Sequence, residues 1–93
     1  MEKVLVRTYS AGVWAGEMVR RYGKEVELRG ARRLWYWVCH KGISLSSVAL
    51  YGITAESKVP AAVPLVLLTE AIEIIPLSAE AVASIEAQPE YLP

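Results

Sequence analysis

Glu25-Val26-Glu27-Leu28-Arg29-Gly30-Ala31-Arg32-Arg33-Leu34-Trp35-Tyr36-Trp37-Val38 is the stretch on which the fold turns. Its first five residues alternate charged and apolar. Successive side chains on a strand point to opposite faces, so Val26 and Leu28 turn inward and the charges turn to solvent. Gly30-Ala31 interrupts that ladder and predicts a β-bulge. Arg32 to Val38, rich in aromatic residues, resumes the strand. On it Arg33, Trp35 and Trp37 share one face, and Arg32, Leu34, Tyr36 and Val38 share the other.

Upstream, Val4, Val6 and Thr8 alternate with Leu5, Arg7 and Tyr9, which predicts another strand. Ser10-Ala11-Gly12 reads as a turn, with Gly12 supplying a positive φ. A second strand runs from Val13 to about Arg21, and Gly16 within it marks a bulge or a close backbone approach. Arg21-Tyr22-Gly23-Lys24 is the next hairpin turn. The first 38 residues are thus a meander of three or four antiparallel strands.

Downstream, Ser44 is an N-cap with Ile43 as its hydrophobic staple, and Gly52 supplies the C′ position of a helix over Leu45–Tyr51. Leu45, Val48, Ala49 and Ile53 form its buried stripe. Thr54 to Pro60 is a polar loop. Pro60 and Pro64 bracket a short apolar connection, and Pro64 fits the start of a strand rather than its interior. Leu65–Leu68 and Ala71–Ile75 read as one long, bent strand, because Thr69-Glu70 is poor hairpin chemistry. Pro76 ends it. Ser78 caps a last helix with Glu80 near its positive end. Val82 and Ile85 are that helix's apolar edge, and Pro89 stops it. The order β-β-β-(β)-α-β-α, without repeat or linker, predicts a single domain over residues 1–93. Its class is α+β: a small twisted antiparallel sheet, or a partial β-barrel, with two short helices.

Composition narrows the function. The chain of 93 residues is 54% hydrophobic and 22% charged, with ten Lys/Arg against ten Asp/Glu. That excludes a disordered chain, a basic nucleic-acid arm and an acidic tail. The longest apolar run, Pro60–Leu68, is far short of the ~20 residues a membrane helix needs. Met1-Glu2-Lys3, with only three apolar residues before Arg7, does not read as a signal peptide. A lone cysteine forms no internal disulfide, so a cytosolic protein is expected. Asp, Asn and Phe are absent, and the scarcity of heat-labile side chains leans toward a thermophilic source. Charge is uneven: residues 1–41 hold nine Lys/Arg against four Glu, and residues 42–93 hold one Lys against six Glu. Either the halves neutralise each other within one fold, or they are complementary surfaces joining neighbouring subunits. The small core favours oligomerisation as a supplement to stability.

Catalytic groups are scarce. His40 is the only histidine and Cys39 the only cysteine. As strand neighbours they point to opposite faces, and there is no Asp to orient an imidazole. Cys39 reads as a small apolar residue at a strand end, and His40 as a loop residue beside Lys41 and Gly42. Neither a Gly-x-Ser-x-Gly elbow nor a phosphate loop occurs. One His and one Cys cannot complete a tetrahedral metal site. Glu70 and Glu73, three apart on a strand, face opposite sides. No enzyme, metal or cofactor is expected.

The Trp-rich segment is the remaining candidate. Arg32, Arg33, Trp35 and Trp37 offer indole faces for stacking a base and guanidinium charge for a phosphate. The same pattern also describes core or subunit-interface tryptophans. The six arginines, all within the strand half, form either an anion-binding patch or a solvated face paired with Glu. Zero net charge argues against tight nonspecific nucleic-acid binding, but not against a small anionic nucleotide.

Several blocks carry a resemblance. They are Val6-Arg7-Thr8-Tyr9-Ser10-Ala11-Gly12-Val13, Gly23-Lys24-Glu25-Val26, Ala31-Arg32-Arg33-Leu34-Trp35-Tyr36-Trp37, Ser44-Leu45-Ser46 and Leu68-Thr69-Glu70-Ala71-Ile72-Glu73-Ile74-Ile75-Pro76. In order along nearly the whole chain, they resemble a family of small bacteriophage and prophage proteins, a domain of unknown function. The segment Val38-Cys39-His40-Lys41-Gly42 departs from the family's more Gly/Ala-like pattern, which sets Cys39 and His40 apart from any shared role. The resemblance implies a phage setting, in the cytoplasm of an infected bacterial host. Taken with the small core, the opposed charge halves, the Trp-rich strand and the missing catalytic groups, it leads to the expectation of a noncatalytic, homo-oligomeric accessory protein with a host protein or a small anionic nucleotide as partner. Two further roles consistent with it are a sponge for a host immune signalling nucleotide and a structural virion component.

Overall fold

The alternating N-terminal segments form three consecutive antiparallel strands in the computed structural model, which describes residues 2–93. They are β1 (Lys3–Thr8), β2 (Val13–Tyr22) and β3 (Glu25–Leu34). Helix α1 (Leu45–Tyr51) follows, then β4 (Val63–Leu68), β5 (Ala71–Pro76) and helix α2 (Ala79–Glu86). The strands make one antiparallel sheet in the order β4-β3-β2-β1-β5. β4 and β5 are its edges and do not pair with each other, so the sheet is open. The architecture is α+β, as the sequence predicts.

Gly30-Ala31 is the expected bulge. Between the Ala15↔Arg32 and Glu17↔Arg29 pairs, β3 carries one residue more than β2. Gly30 takes a φ of 57°, which suits glycine. Opposite it, Gly16 lies close to the β3 backbone: a Cβ there would stand 3.2 Å from Ala31 Cα and from the Arg29 carbonyl oxygen. A second irregularity, between Met18 and Arg20, restores the register.

Two expectations need correction. The strand after the bulge ends at Leu34, not Val38, because both neighbours run out: β2 begins at Val13 opposite Leu34, and β4 begins at Val63 opposite Ala31. Beyond it only single bridges form, Tyr36↔Lys58 and Cys39↔Ile53. Secondly, residues 65–75 are not one continuous strand. The chain breaks at Thr69-Glu70, and the two halves pair on opposite edges, Leu68 with Val26 of β3 and Ala71 with Thr8 of β1. The break is held from both sides. Tyr9 N–H donates to the Glu70 carbonyl at 2.9 Å, and Ala71 N–H donates to the Lys24 carbonyl at 3.0 Å. Pro64 sits second in β4, tolerable on an edge strand.

Both faces of the sheet are covered, so Val4, Leu5 and Val6 of β1 are all buried in succession. Val4 and Val6 pack with Trp14, Val26, Leu28, Ala31 and Leu68. Leu5 packs on the helical side with Leu34, Val48, Ala49 and Ile85. Ser44 accepts a hydrogen bond from Ser47 N–H and Ser78 one from Ala81 N–H, so both predicted N-caps form. The helices lock where Gly52 (φ 84°) passes Ser84, whose hydroxyl accepts from Ile53 N–H at 3.0 Å. Helix α2 buries Ala81 and Ile85; Val82, expected on the apolar edge, is only half-buried and borders a cleft.

Candidate functional site

The structure separates the four residues singled out from the Trp-rich segment. Arg32 is buried at 9% exposure and points toward α2. Its guanidinium donates to five backbone carbonyls: Pro60 at 3.0 Å, Ile85 at 2.9 Å, Gln88 at 2.8 Å, Val59 at 2.9 Å and Pro89 at 3.5 Å. Ile85 lies in the last turn of α2, where the dipole favours a cation, and its carbonyl also accepts from Gln88 N–H at 3.2 Å. Burial lowers the Arg32 pKa from its ordinary value, opposed by the nearby Glu90 carboxylate. Arg32 is thus a clamp that joins the sheet, the 59–60 segment and the end of α2. Arg33, one residue on, faces the other way: it lies 4.3 Å from the Trp14 ring centroid and donates to the Ala11 carbonyl. Trp37 packs half-buried against the helical-side core. Trp35 is exposed and stacks on Tyr91 with centroids 5.6 Å apart. Lys58 Nζ stands 5.5–5.6 Å from the Trp35, Tyr36 and Tyr91 rings, where cation–π attraction holds it.

A different set of residues converges at the bulge. Between α2 and the β1–β2–β3 surface lies a cleft of about 310 Å³. Ala15, Leu77, Val82 and Ile85 make its apolar lining, and Gly16 and Gly30 bring backbone to its wall. Two ion pairs border it: Lys3–Glu86 at 2.8 Å and Arg29–Glu17 at 3.0 Å. Arg32 also borders it. The hydrogen bond to Glu86 raises the Lys3 pKa above its ordinary value, against a smaller opposing effect of burial. Sequence reading marked Gly16, Gly30 and Ile85 but missed this convergence. Lys3 and Glu86 are 83 residues apart, and nothing in local periodicity links them.

A third feature is an exposed apolar stripe. Val63, Leu65 and Leu67 alternate along the edge strand β4 and are 37%, 56% and 46% exposed. Leu65 and Leu67 stand opposite Arg29 and Glu27 of β3. The neighbouring ion pairs, Arg29–Glu17 and Arg20–Glu27, carry both signs in equal number.

Other chemistries find little to work with. Cys39 Sγ lies 3.6 Å from the Ser44 carbonyl, and His40 is exposed, its backbone N–H donating to Gly52. Glu73 pairs with Arg7 at 3.1 Å, and Glu70 accepts from the Ser10 hydroxyl. Among the described residues no three His, Cys, Asp or Glu side chains gather as a metal site, and no helix is long and apolar enough to cross a membrane.

One family model, described as a domain of unknown function (DUF6948), matches residues 1–85. The chain belongs to that family. No curated protein and no solved structure matches it. The DUF6948 match spans the whole sheet and all of α2 but its last residue, so it takes in Lys3, Glu17, Arg29 and Arg32 of the cleft. Its description carries no activity, and the chemistry rests on the side chains themselves.

Proposed function

We propose that this protein is a noncatalytic accessory protein that works by binding, as an assembly of identical subunits. The observation that carries the reading is the Val63, Leu65, Leu67 stripe on β4, three large apolar side chains left in solvent on one edge of a small sheet. Exposed edges of this kind are usually shortened, charged or covered, and contiguous exposed apolar patches mark contact surfaces.

A second copy of the chain is the occupant. Leu65 is the centre of a symmetric apolar pattern, so an antiparallel partner centred there sets Val63 against the partner's Leu67. The adjoining charges are already paired within each copy, Glu17 with Arg29 and Arg20 with Glu27, so the surface beside the stripe carries no excess charge to repel a second copy. A formal net charge of zero leaves no long-range repulsion between copies. Pro64 lacks an N–H, so side-chain packing rather than a long added ladder would carry the contact. The phage setting, and action in the cytoplasm of an infected host, are part of the proposal and are supported by the sequence resemblance alone.

Sedimentation velocity of the wild type and of a Leu65→Glu, Leu67→Glu variant tests the proposal. Both positions are exposed, so the variant should keep the wild-type circular dichroism. The expected result is an oligomeric wild type at micromolar concentration and a monomeric variant. A monomeric wild type, or a variant that assembles equally well, would overturn it.

A further inference from the structure

We infer that the cleft between α2 and the bulged β2–β3 surface is a binding site for a small uncharged molecule with an apolar body, such as an aliphatic or aromatic alcohol. The inference goes beyond the assembly reading, since no residue of the cleft lies on β4. At about 310 Å³ the cleft lies at the small end of ligand sites, which are mostly apolar with a few placed polar groups. An apolar cavity of about 150 Å³ already takes up benzene, so there is space here for a ring or a short chain. Ala15, Leu77, Val82 and Ile85 provide the apolar wall against which such a body packs.

The charges around the cleft disfavour ions because they already engage one another. Lys3, Glu17 and Arg29 are cross-strand neighbours on β1, β2 and β3, and Glu86 of α2 reaches Lys3. The result is a row that alternates in sign from α2 to β3: Glu86, Lys3, Glu17, Arg29. Its ends close as pairs, Lys3–Glu86 at 2.8 Å and Arg29–Glu17 at 3.0 Å, and Glu17 also attracts Lys3 across the strands. Arg32 is the remaining cation. The nearby Glu90 carboxylate and the carbonyl end of α2, whose Ile85 oxygen it holds, offset its charge. Among the described residues, every charge of the lining thus faces an opposite one. A charged ligand would lose hydration on entering and find a counter-charge only by breaking an existing pair. An uncharged ligand loses little hydration and buries its apolar surface against the wall.

The bulge leaves the cleft unfilled. Gly30 borders it without a side chain, and a Cβ built there would meet no atom within 4 Å. β-Bulges recur beside functional sites because they bend a strand and re-aim its side chains.

The test is an NMR titration of the isotope-labelled full chain with hexanol, hexanoate and hexylammonium, three probes of equal chain length that differ in charge. The expected result is saturable shifts of the Gly16, Gly30 and Val82 amides with hexanol, bound at least fivefold more tightly than either ion. Glu86→Gln removes the partner of Lys3 from the row and should move the preference toward hexanoate; both side chains are about half exposed, so the fold is kept. Val82→Trp, which fills the cleft from α2, should abolish the hexanol shifts; Val82→Phe provides a milder filling if the tryptophan variant does not fold. No saturable shift at millimolar hexanol, tighter binding of either ion by the wild type, an unchanged preference in Glu86→Gln, or binding indifferent to cleft filling would overturn the inference. Shifts of the same amides on dilution of the protein alone would assign the cleft to a second copy and overturn it as well.

Discussion

Replacing Arg32 by methionine tests the structural role assigned to it, because methionine keeps much of the stem and removes every donor. Two of its partners, the Ile85 and Val59 carbonyls, are held by buried bonds at 2.9 Å. Each keeps a second donor, Gln88 N–H at 3.2 Å on Ile85 and Tyr91 N–H at 3.0 Å on Val59, so neither is orphaned by the substitution. The Pro60, Gln88 and Pro89 carbonyls are part-buried and can recover water. Every one of these bonds is then worth about 0.5–1 kcal/mol. Relief from burying the guanidinium offsets part of the loss. A net destabilisation of about 2–3 kcal/mol remains. For a domain of this size that lowers Tm by roughly 10–20 °C. Arg32→Lys should recover little, since one ammonium cannot reach carbonyls placed around a planar fork. Arg33→Met is the control: it loses only an exposed bond to Ala11 and the stack on Trp14, about 1 kcal/mol or less. Urea and thermal unfolding of the three variants give the answer. An Arg32→Met protein within 1 kcal/mol of wild type, or no less stable than Arg33→Met, would refute the clamp.

Gly52→Ala forces a φ of 84° on alanine and drives its Cβ into the Ser84 hydroxyl; urea unfolding should register a loss of about 2–4 kcal/mol. Gly30→Ala shares the positive φ but meets open space, so its loss should stay near 1–2 kcal/mol. The Lys3–Glu86 pair raises the lysine pKa, so its contribution is fully present below the ordinary value of 10.5 and is lost as pH rises through the higher folded value. Both side chains are about half exposed, which limits that contribution to below ~1 kcal/mol; Lys3→Met should flatten the loss of stability in alkaline unfolding curves without changing neutral-pH behaviour by more. Tyr91→Ala removes the ring stacked on Trp35 and should shift tryptophan emission toward the red while leaving Tm within a few degrees.

Much of the fold was legible because its rules are local. Val26 and Leu28 alternate with charges, Ser44 and Ser78 precede helical runs, and Gly30-Ala31 breaks a ladder; each is decided by its neighbours in sequence. Edge assignment was not legible. Leu65–Leu68 and Ala71–Ile75 are both strand-like, but which strand each pairs with depends on where β3 and β1 lie after folding. The end of β3 at Leu34 has the same cause, since a strand stops where its partners stop. The candidate site was the least legible part. Arg32 and Arg33 look alike in sequence, yet strand alternation sends one into a buried nest of carbonyls and the other over the Trp14 ring on the opposite face. Lys3, Glu17, Arg29 and Glu86 carry no motif, and the cleft exists only because α2 crosses the bulged strands.

Disulfide trapping at Leu65 tests the assembly most directly. In a Cys39→Ala background, Leu65→Cys places one thiol at the predicted two-fold centre, where the two Cα atoms must approach within about 7 Å to be bridged. Ile43→Cys, at a position 96% exposed and far from β4 in sequence, reports random collision. Mild oxidation at micromolar concentration should convert the Leu65→Cys protein to a covalent dimer much faster than the Ile43→Cys protein. Equal rates at the two positions, or no dimer at Leu65→Cys, would contradict β4 as the surface where copies meet.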